Sequence, residues 1–146
     1  MLVTLHYEIH IAAPRERVWA TMLDHPTYEE WTSAFTEGST YEGAFVQGGR
    51  LRFLSPEGSG IVSEVAELRA PEYLSIHHLG LVRDGVEDLE SEEVKSWGDA
   101  YERYTFDATA NGTHLRVALD TTPESAEMMN AGWAKGLATL KAMCER

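Results

Sequence analysis

The C-terminal segment constrains the fold of this chain most strongly. Thr122-Pro123-Glu124 is a typical helix start, because Thr caps, Pro fits the first helical position and an acidic residue suits the positive end of the helix dipole. At about 100° per residue, the apolar side chains and glycines that follow fall within an arc of about 140°. These residues are Met129, Gly132, Trp133, Gly136, Leu137, Leu140, Met143 and Cys144. The pattern predicts an amphipathic helix over residues 123–145.

Two glycines, Gly132 and Gly136, lie on the apolar face of this predicted helix. In a helix interior each glycine costs on the order of 1 kcal/mol relative to alanine, so some contact is expected to offset that cost. Two explanations are open at this point. Either the backbone of another segment approaches the helix closely there, or the missing side chains leave room for a ligand.

The rest of the chain is typical of strands separated by turns. Residues 2–11 alternate apolar and polar side chains, which predicts a half-buried strand, and two short helices are expected after it, the first beginning at Pro14. Turn signals then occur at Gly48-Gly49, Pro56-Glu57-Gly58, Ala70-Pro71 and Asn111-Gly112. Between them, strands are predicted over 51–55, 60–68, 73–80, 100–109 and 113–121. An antiparallel meander followed by one long helix is an α+β fold.

The acidic segment Arg83–Glu93 lacks a strong periodicity. Charged segments of this kind are usually solvated connections, so a long exposed loop is expected. A lid over a pocket is the alternative.

Composition limits the possible functions. A chain of 146 residues with a formal net charge of −12 fits one domain, residues 1–146, and repels phosphate backbones and anionic membrane surfaces. We therefore expect neither a nucleic-acid partner nor membrane insertion. The single cysteine, Cys144, has no partner for an internal disulfide, and no signal sequence opens the chain, so a cytoplasmic location is expected.

Four sequence blocks resemble a known family in the order in which they occur. They are IAAPRERVWATMLDHPTYEEWT (11–32), GSGIVSEVAELRAPEYLSIHHLG (58–80), YERYTFDATANGTHLRVAL (101–119) and GWAKGLATL (132–140). Together they resemble proteins similar to the activator of the heat-shock-ninety ATPase, the AHSA type. These proteins belong to the START-like, or SRPBCC, helix-grip superfamily. The resemblance implies a curved antiparallel sheet wrapped around a long C-terminal helix, with two short helices after the first strand.

The resemblance also implies three possible functions. Members of the superfamily bind lipids, sterols, hormones or polyketides, so the first expectation is a small hydrophobic ligand held between sheet and C-terminal helix. Some members are polyketide cyclases, which would make a pocket acid or base catalytic here. The activators themselves are co-chaperones, which implies a chaperone contact; they usually carry an additional N-terminal domain for which this chain has no room.

Strand parity identifies two polar candidates for the interior. Glu102 shares a strand face with Tyr104 and Phe106, and His78 shares one with Leu74 and Ile76. A carboxylate or imidazole in an apolar space can serve as a general acid or base, so Glu102 and His78 are the catalytic candidates. Alternatively, Glu102 lies near the strand end and reaches water, and His78 is a hydrogen-bonded core residue.

The same reasoning gives a predicted cavity wall. It consists of Leu51, Phe53, His78, Glu102, Tyr104, Phe106, Leu115, Val117, Trp133, Gly136 and Leu137. His6, Glu8 and His10 could in principle offer three metal ligands, but their alternation is typical of an exposed outer face. No cofactor or metal motif is present in the sequence, and neither a cofactor nor a metal is expected.

Overall fold

Within residues 2–146, which the computed structural model describes, the chain forms eight strands and four α-helices. In chain order they are β1 Val3–Ile11, α1 Arg15–Leu23, α2 His25–Thr32, β2 Thr40–Gly43, β3 Arg50–Leu54, β4 Gly60–Arg69, β5 Tyr73–Arg83, β6 Val86–Asp88, α3 Glu92–Lys95, β7 Ala100–Thr109, β8 Gly112–Thr121 and α4 Ala126–Cys144.

The strands form one antiparallel sheet in the order β1-β8-β7-β5-β4-β3-β2, with β6 paired to β5. The first strand, β1, pairs with the last strand, β8, at one edge of the sheet. The sheet is open and curved, and α4 lies across it. This arrangement confirms the predicted α+β helix-grip architecture.

The core lies between α4 and the concave face of the sheet. Leu115, Val117 and Leu119 of β8 are buried on that face, and Leu137 and Leu140 of α4 are buried opposite. Arg116, between two of the β8 residues, is exposed, as period-two alternation requires. The predicted faces of β8 and of the C-terminal helix are therefore confirmed. The helix start differs slightly, because Pro123–Ser125 forms a single 3-10 turn before α4.

The segment Arg83–Glu93 is largely exposed, as its composition predicted, but it is not a loop. Asp84 and Gly85 both have positive φ, which makes a tight turn between β5 and β6. The Ser91 side chain then accepts a hydrogen bond from the Val94 N–H and caps α3. Asp84-Gly85 is a hairpin signal. The acidic residues around it led instead to the prediction of a loop.

The outer face of β1 carries the alternating polar residues. His10 lies opposite His114 in the β1–β8 register, and Glu8 Oε2 lies 3.6 Å from His114 Nε2. Within residues 2–146, no group of three or more His, Cys, Asp or Glu side chains is arranged to hold a metal ion. No helix in the same range is both long and apolar enough to cross a membrane.

The ring of Phe35 fills the space beside the two helix glycines. A Cβ atom at Gly132 would lie 2.5 Å from Phe35 Cδ1, and one at Gly136 would lie 2.6 Å from Phe35 Cε2. The glycines therefore admit a side chain from the segment after α2. Neither explanation open from the sequence describes this arrangement, because an aromatic side chain, and not a backbone segment or a ligand, occupies the space beside the glycines.

Candidate functional site

A cavity of about 310 Å³ opens between the sheet, α2 and the N-terminal half of α4. Its volume lies at the lower end of the range usual for ligand pockets, about 300–1,000 Å³. Most of its lining is apolar or aromatic. The lining residues are Met22, Leu23, Tyr28, Trp31, Thr32, Phe35, Thr36, Ser39, Phe45, Phe53, Leu54, Ser55, Ser59, Gly60, Ile61, Leu74, Ile76, His78, Glu102, Tyr104, Met129 and Trp133.

Aromatic rings from three parts of the fold form one side of the cavity. Trp133 of α4 lies 5.8 Å from Trp31 of α2 and 6.0 Å from Tyr104 of β7, measured between ring centroids. Tyr28 lies 5.8 Å from Trp31 and 6.3 Å from Phe53 of β3. These contacts hold large flat surfaces in place with little remaining rotamer freedom.

Local hydrogen bonds explain how α2 presents its rings. Pro26 lies in the first turn of α2, and Asp24 before it is extended, so the chain bends between α1 and α2. The Trp31 indole N–H donates to the carbonyl oxygen of Met22 at 3.0 Å, and the Thr32 hydroxyl donates to the carbonyl oxygen of Tyr28 at 2.6 Å. The bend and these bonds aim Tyr28 and Trp31 at the sheet.

A chain of four polar side chains crosses the sheet at the cavity. Ser63 Oγ lies 2.8 Å from His78 Nδ1, and His78 Nε2 lies 3.3 Å from Glu102 Oε1. The Tyr104 hydroxyl donates to Glu102 Oε2. Ser63 belongs to β4, His78 to β5, and Glu102 and Tyr104 to β7. A carboxylate with an imidazole and a phenol at its two oxygens can accept a hydrogen bond or a proton from a bound molecule.

Ser63, His78 and Glu102 are the residue types of a nucleophile, a base and an orienting acid. Their geometry, however, does not suit nucleophilic attack. Ser63 is fully buried at 0% exposure and does not line the cavity. A nucleophile must reach the substrate, so Ser63 serves to orient His78. His78 and Glu102 keep 11% and 23% of their side-chain surface exposed and do line the cavity.

The phenol of Tyr28 is held in its neutral form. Burial raises the pKa of Tyr28 well above its usual range, and the negative charges of Glu102 and of ionised Tyr41 raise it further. Tyr28 therefore faces the cavity as a hydroxyl group that both donates and accepts hydrogen bonds.

The predicted wall residues occupy two regions of the structure. Five of them line the cavity: Phe53, His78, Glu102, Tyr104 and Trp133. Leu51, Phe106, Leu115, Val117, Gly136 and Leu137 are buried in the core beside it. Phe106 is covered by Trp19 of α1, with 5.2 Å between ring centroids, so α1 occupies the space over the β7 and β8 members of this second group.

Sequence reasoning missed the part of the wall contributed by α2 and the segments next to it. Tyr28, Phe35 and Phe45 line the cavity. The aromatic residues after His25-Pro26 were a signal for it, since large rings on a short helix need a surface to pack against. Strand parity could not find them, because it applies only to the sheet.

The fold is that of a START-like helix-grip domain. The Aha1 dimer from Colwellia psychrerythraea has a TM-score of 0.72 at 22% identity, covering 98% of this chain and 96% of that one. Protein MLL2253 from Mesorhizobium loti has a TM-score of 0.71 at 19% identity, covering 96% of this chain and 95% of that one. Protein CV1439 from Chromobacterium violaceum has a TM-score of 0.70 at 20% identity, covering 99% of each chain. At these identities the likeness establishes the fold.

The particular family follows from the sequence match. The family model for activator of Hsp90 ATPase homolog 1-like proteins matches residues 12–145, and the chain belongs to that family. The AHSA-type resemblance is thereby confirmed. No curated protein matches the chain significantly in sequence.

Proposed function

We propose that the chain binds a small, largely apolar molecule in the cavity between the sheet, α2 and the N-terminal half of α4. One observation carries the proposal: an aromatic cavity of about 310 Å³ contains a hydrogen-bonded polar chain at one place on its wall. Ligand pockets usually combine an apolar lining with a few placed polar groups. Trp31, Trp133 and Phe53 would contact the apolar body of the ligand, and Glu102 and His78 its polar end.

A fluorescent apolar probe tests this proposal. N-phenyl-1-naphthylamine is uncharged and brightens on leaving water, so we expect a saturable fluorescence increase with the intact protein. Met129 lines the cavity, and its replacement by tryptophan would reduce the free volume. Met129→Trp should weaken probe binding by about tenfold or more, a cost of about 1.4 kcal/mol.

The neighbouring residue provides a matched control. Met128 is 67% exposed on the same turn of α4 and does not line the cavity. Met128→Trp adds the same ring outside the cavity and should leave probe binding unchanged. Equal binding by both variants, or no saturable binding by the unmodified protein, would contradict the proposal.

A further inference from the structure

Negative charge is in excess among the ionisable side chains on the cavity wall. Within the part of the chain that the structure describes, the lining includes the carboxylate of Glu102 and contains neither Lys nor Arg. His78, the lining's basic side chain, already contacts Glu102 through Nε2 and Ser63 through Nδ1. Both of its ring nitrogens are therefore engaged within the protein.

Glu102 retains capacity to accept further hydrogen bonds. A carboxylate offers about four lone-pair positions, and His78 and Tyr104 account for one contact at each oxygen. The side chain lines the cavity and is 23% exposed, so a molecule in the cavity can reach it. A ligand group that donates a hydrogen bond would find an acceptor there.

Resting on the proposed function, we infer that the cavity selects ligands whose polar end is a hydrogen-bond donor, a hydroxyl or an ammonium group, and rejects carboxylates. A carboxylate ligand with its polar end at Glu102 would place two negative charges close together in a space walled by aromatic rings. At the reduced effective dielectric near a protein surface, such a pair repels much more strongly than in water. Fatty acids would on this basis be poor ligands, and phenols or amines with an aromatic body good ones.

The aromatic wall supports the same ligand class. Trp31, Trp133 and Tyr28 surround the space next to Glu102 with flat π-surfaces. Aromatic faces attract cations and pack well on other rings. The aromatic wall and the charge of Glu102 therefore favour the same class of ligand.

Three naphthalene derivatives that differ in one substituent test the inference. 2-Naphthol, 2-naphthylmethylammonium and 2-naphthoate would each compete with bound N-phenyl-1-naphthylamine at neutral pH. The two donors should displace the probe at concentrations lower by about tenfold or more than 2-naphthoate requires. Glu102→Gln removes the charge and keeps the shape, so it should reduce that preference to less than about threefold.

Glu64→Gln is the matched control, because Glu64 lies on β4, contacts His77 and does not line the cavity. It should retain the preference of the unmodified protein. If 2-naphthoate competes as well as 2-naphthol does with the unmodified protein, the inference is wrong while ligand binding stands. If the probe itself does not bind, the proposed function fails. Thermal unfolding of Glu102→Gln shows whether the variant folds. The order in which the three compounds compete for the unmodified protein tests the inference without that variant.

Discussion

The position of the Phe35 ring explains why glycine occupies positions 132 and 136 of α4. Its ring lies against both Cα positions and 6.2 Å from Trp31, with Trp133 at 5.3 Å, again between ring centroids. The helix-propensity cost of two glycines is thus offset by aromatic packing of the segment that follows α2. Because Phe35 also lines the cavity, the glycines help to shape the site.

The Gly136→Ala substitution should have opposite effects in two backgrounds. In the unmodified protein the new Cβ meets the Phe35 ring, so a loss of about 1 kcal/mol is expected from overpacking. In a Phe35→Ala background the ring is gone, and alanine should stabilise α4 by up to about 1 kcal/mol. Urea unfolding of the four proteins measures the difference. Ala138→Gly, at an exposed position of α4, should cost the same in both backgrounds; equal effects of Gly136→Ala would exclude the packing role of Phe35.

Tyr28 should make the protein less stable at alkaline pH. Its pKa is raised in the folded state, so the unfolded chain loses the proton first, near the usual tyrosine pKa of about 10. The stabilisation is complete below that pH and is lost as the pH rises toward the folded-state value, by up to about 1.4 kcal/mol per pH unit.

Urea unfolding at alkaline pH and at pH 8 checks this linkage. Tyr28→Phe should show a smaller loss of stability between the two conditions than the unmodified protein does. Some loss should remain, because burial also raises the pKa of Tyr7, Tyr41 and Cys144. An identical loss in Tyr28→Phe and the unmodified protein would show that Tyr28 does not contribute.

At the scale of elements, Trp133 connects α4 to both the sheet and α2. Its ring stacks on Tyr7 of β1 at 5.8 Å and contacts Tyr104 of β7 and Trp31 of α2. The C-terminal end of α4 is held differently, since the Arg17 side chain of α1 donates to the carbonyl oxygen of Cys144 at 2.7 Å. The first half of the helix therefore borders the cavity, and the second half is sealed by α1.

Trp133→Ala should remove the main contact of that first half. With the side chain 4% exposed, a loss of about 3–5 kcal/mol in the free energy of unfolding is expected. Trp133→Phe keeps part of the ring surface and should cost clearly less. Met128→Ala, on the exposed side of the same helix, should change stability by less than about 0.5 kcal/mol. A loss below about 1 kcal/mol for Trp133→Ala would contradict this account of the helix.

For the whole molecule, the formal net charge of −12 is the dominant long-range property. Like charges distributed over a small domain repel each other in the folded state more than in the expanded unfolded chain. Surface ion pairs such as Arg69–Glu67 contribute little in comparison, because both side chains remain solvated.

Salt should therefore raise the thermal stability. Going from about 10 mM to about 150 mM NaCl shortens the screening length from about 30 Å to about 8 Å, and the melting temperature at pH 7 should rise. Glu90→Gln with Glu92→Gln removes two exposed charges from the β6–α3 segment and should reduce the size of that rise. A melting temperature that falls with salt would mean that ion pairs outweigh the net repulsion.

The sequence by itself determined the strand faces of β1 and β8, the amphipathic helix α4 and the antiparallel order, because these depend on local periodicity and turn chemistry. It also brought Glu102 and His78 to the inner face of the sheet. Only the tertiary structure decided that Phe35 covers the two glycines, that α1 packs over β7 and β8 and that the cavity lies beside α2. Packing between elements distant in the chain decides where space remains, and no local pattern records which side chain will fill it.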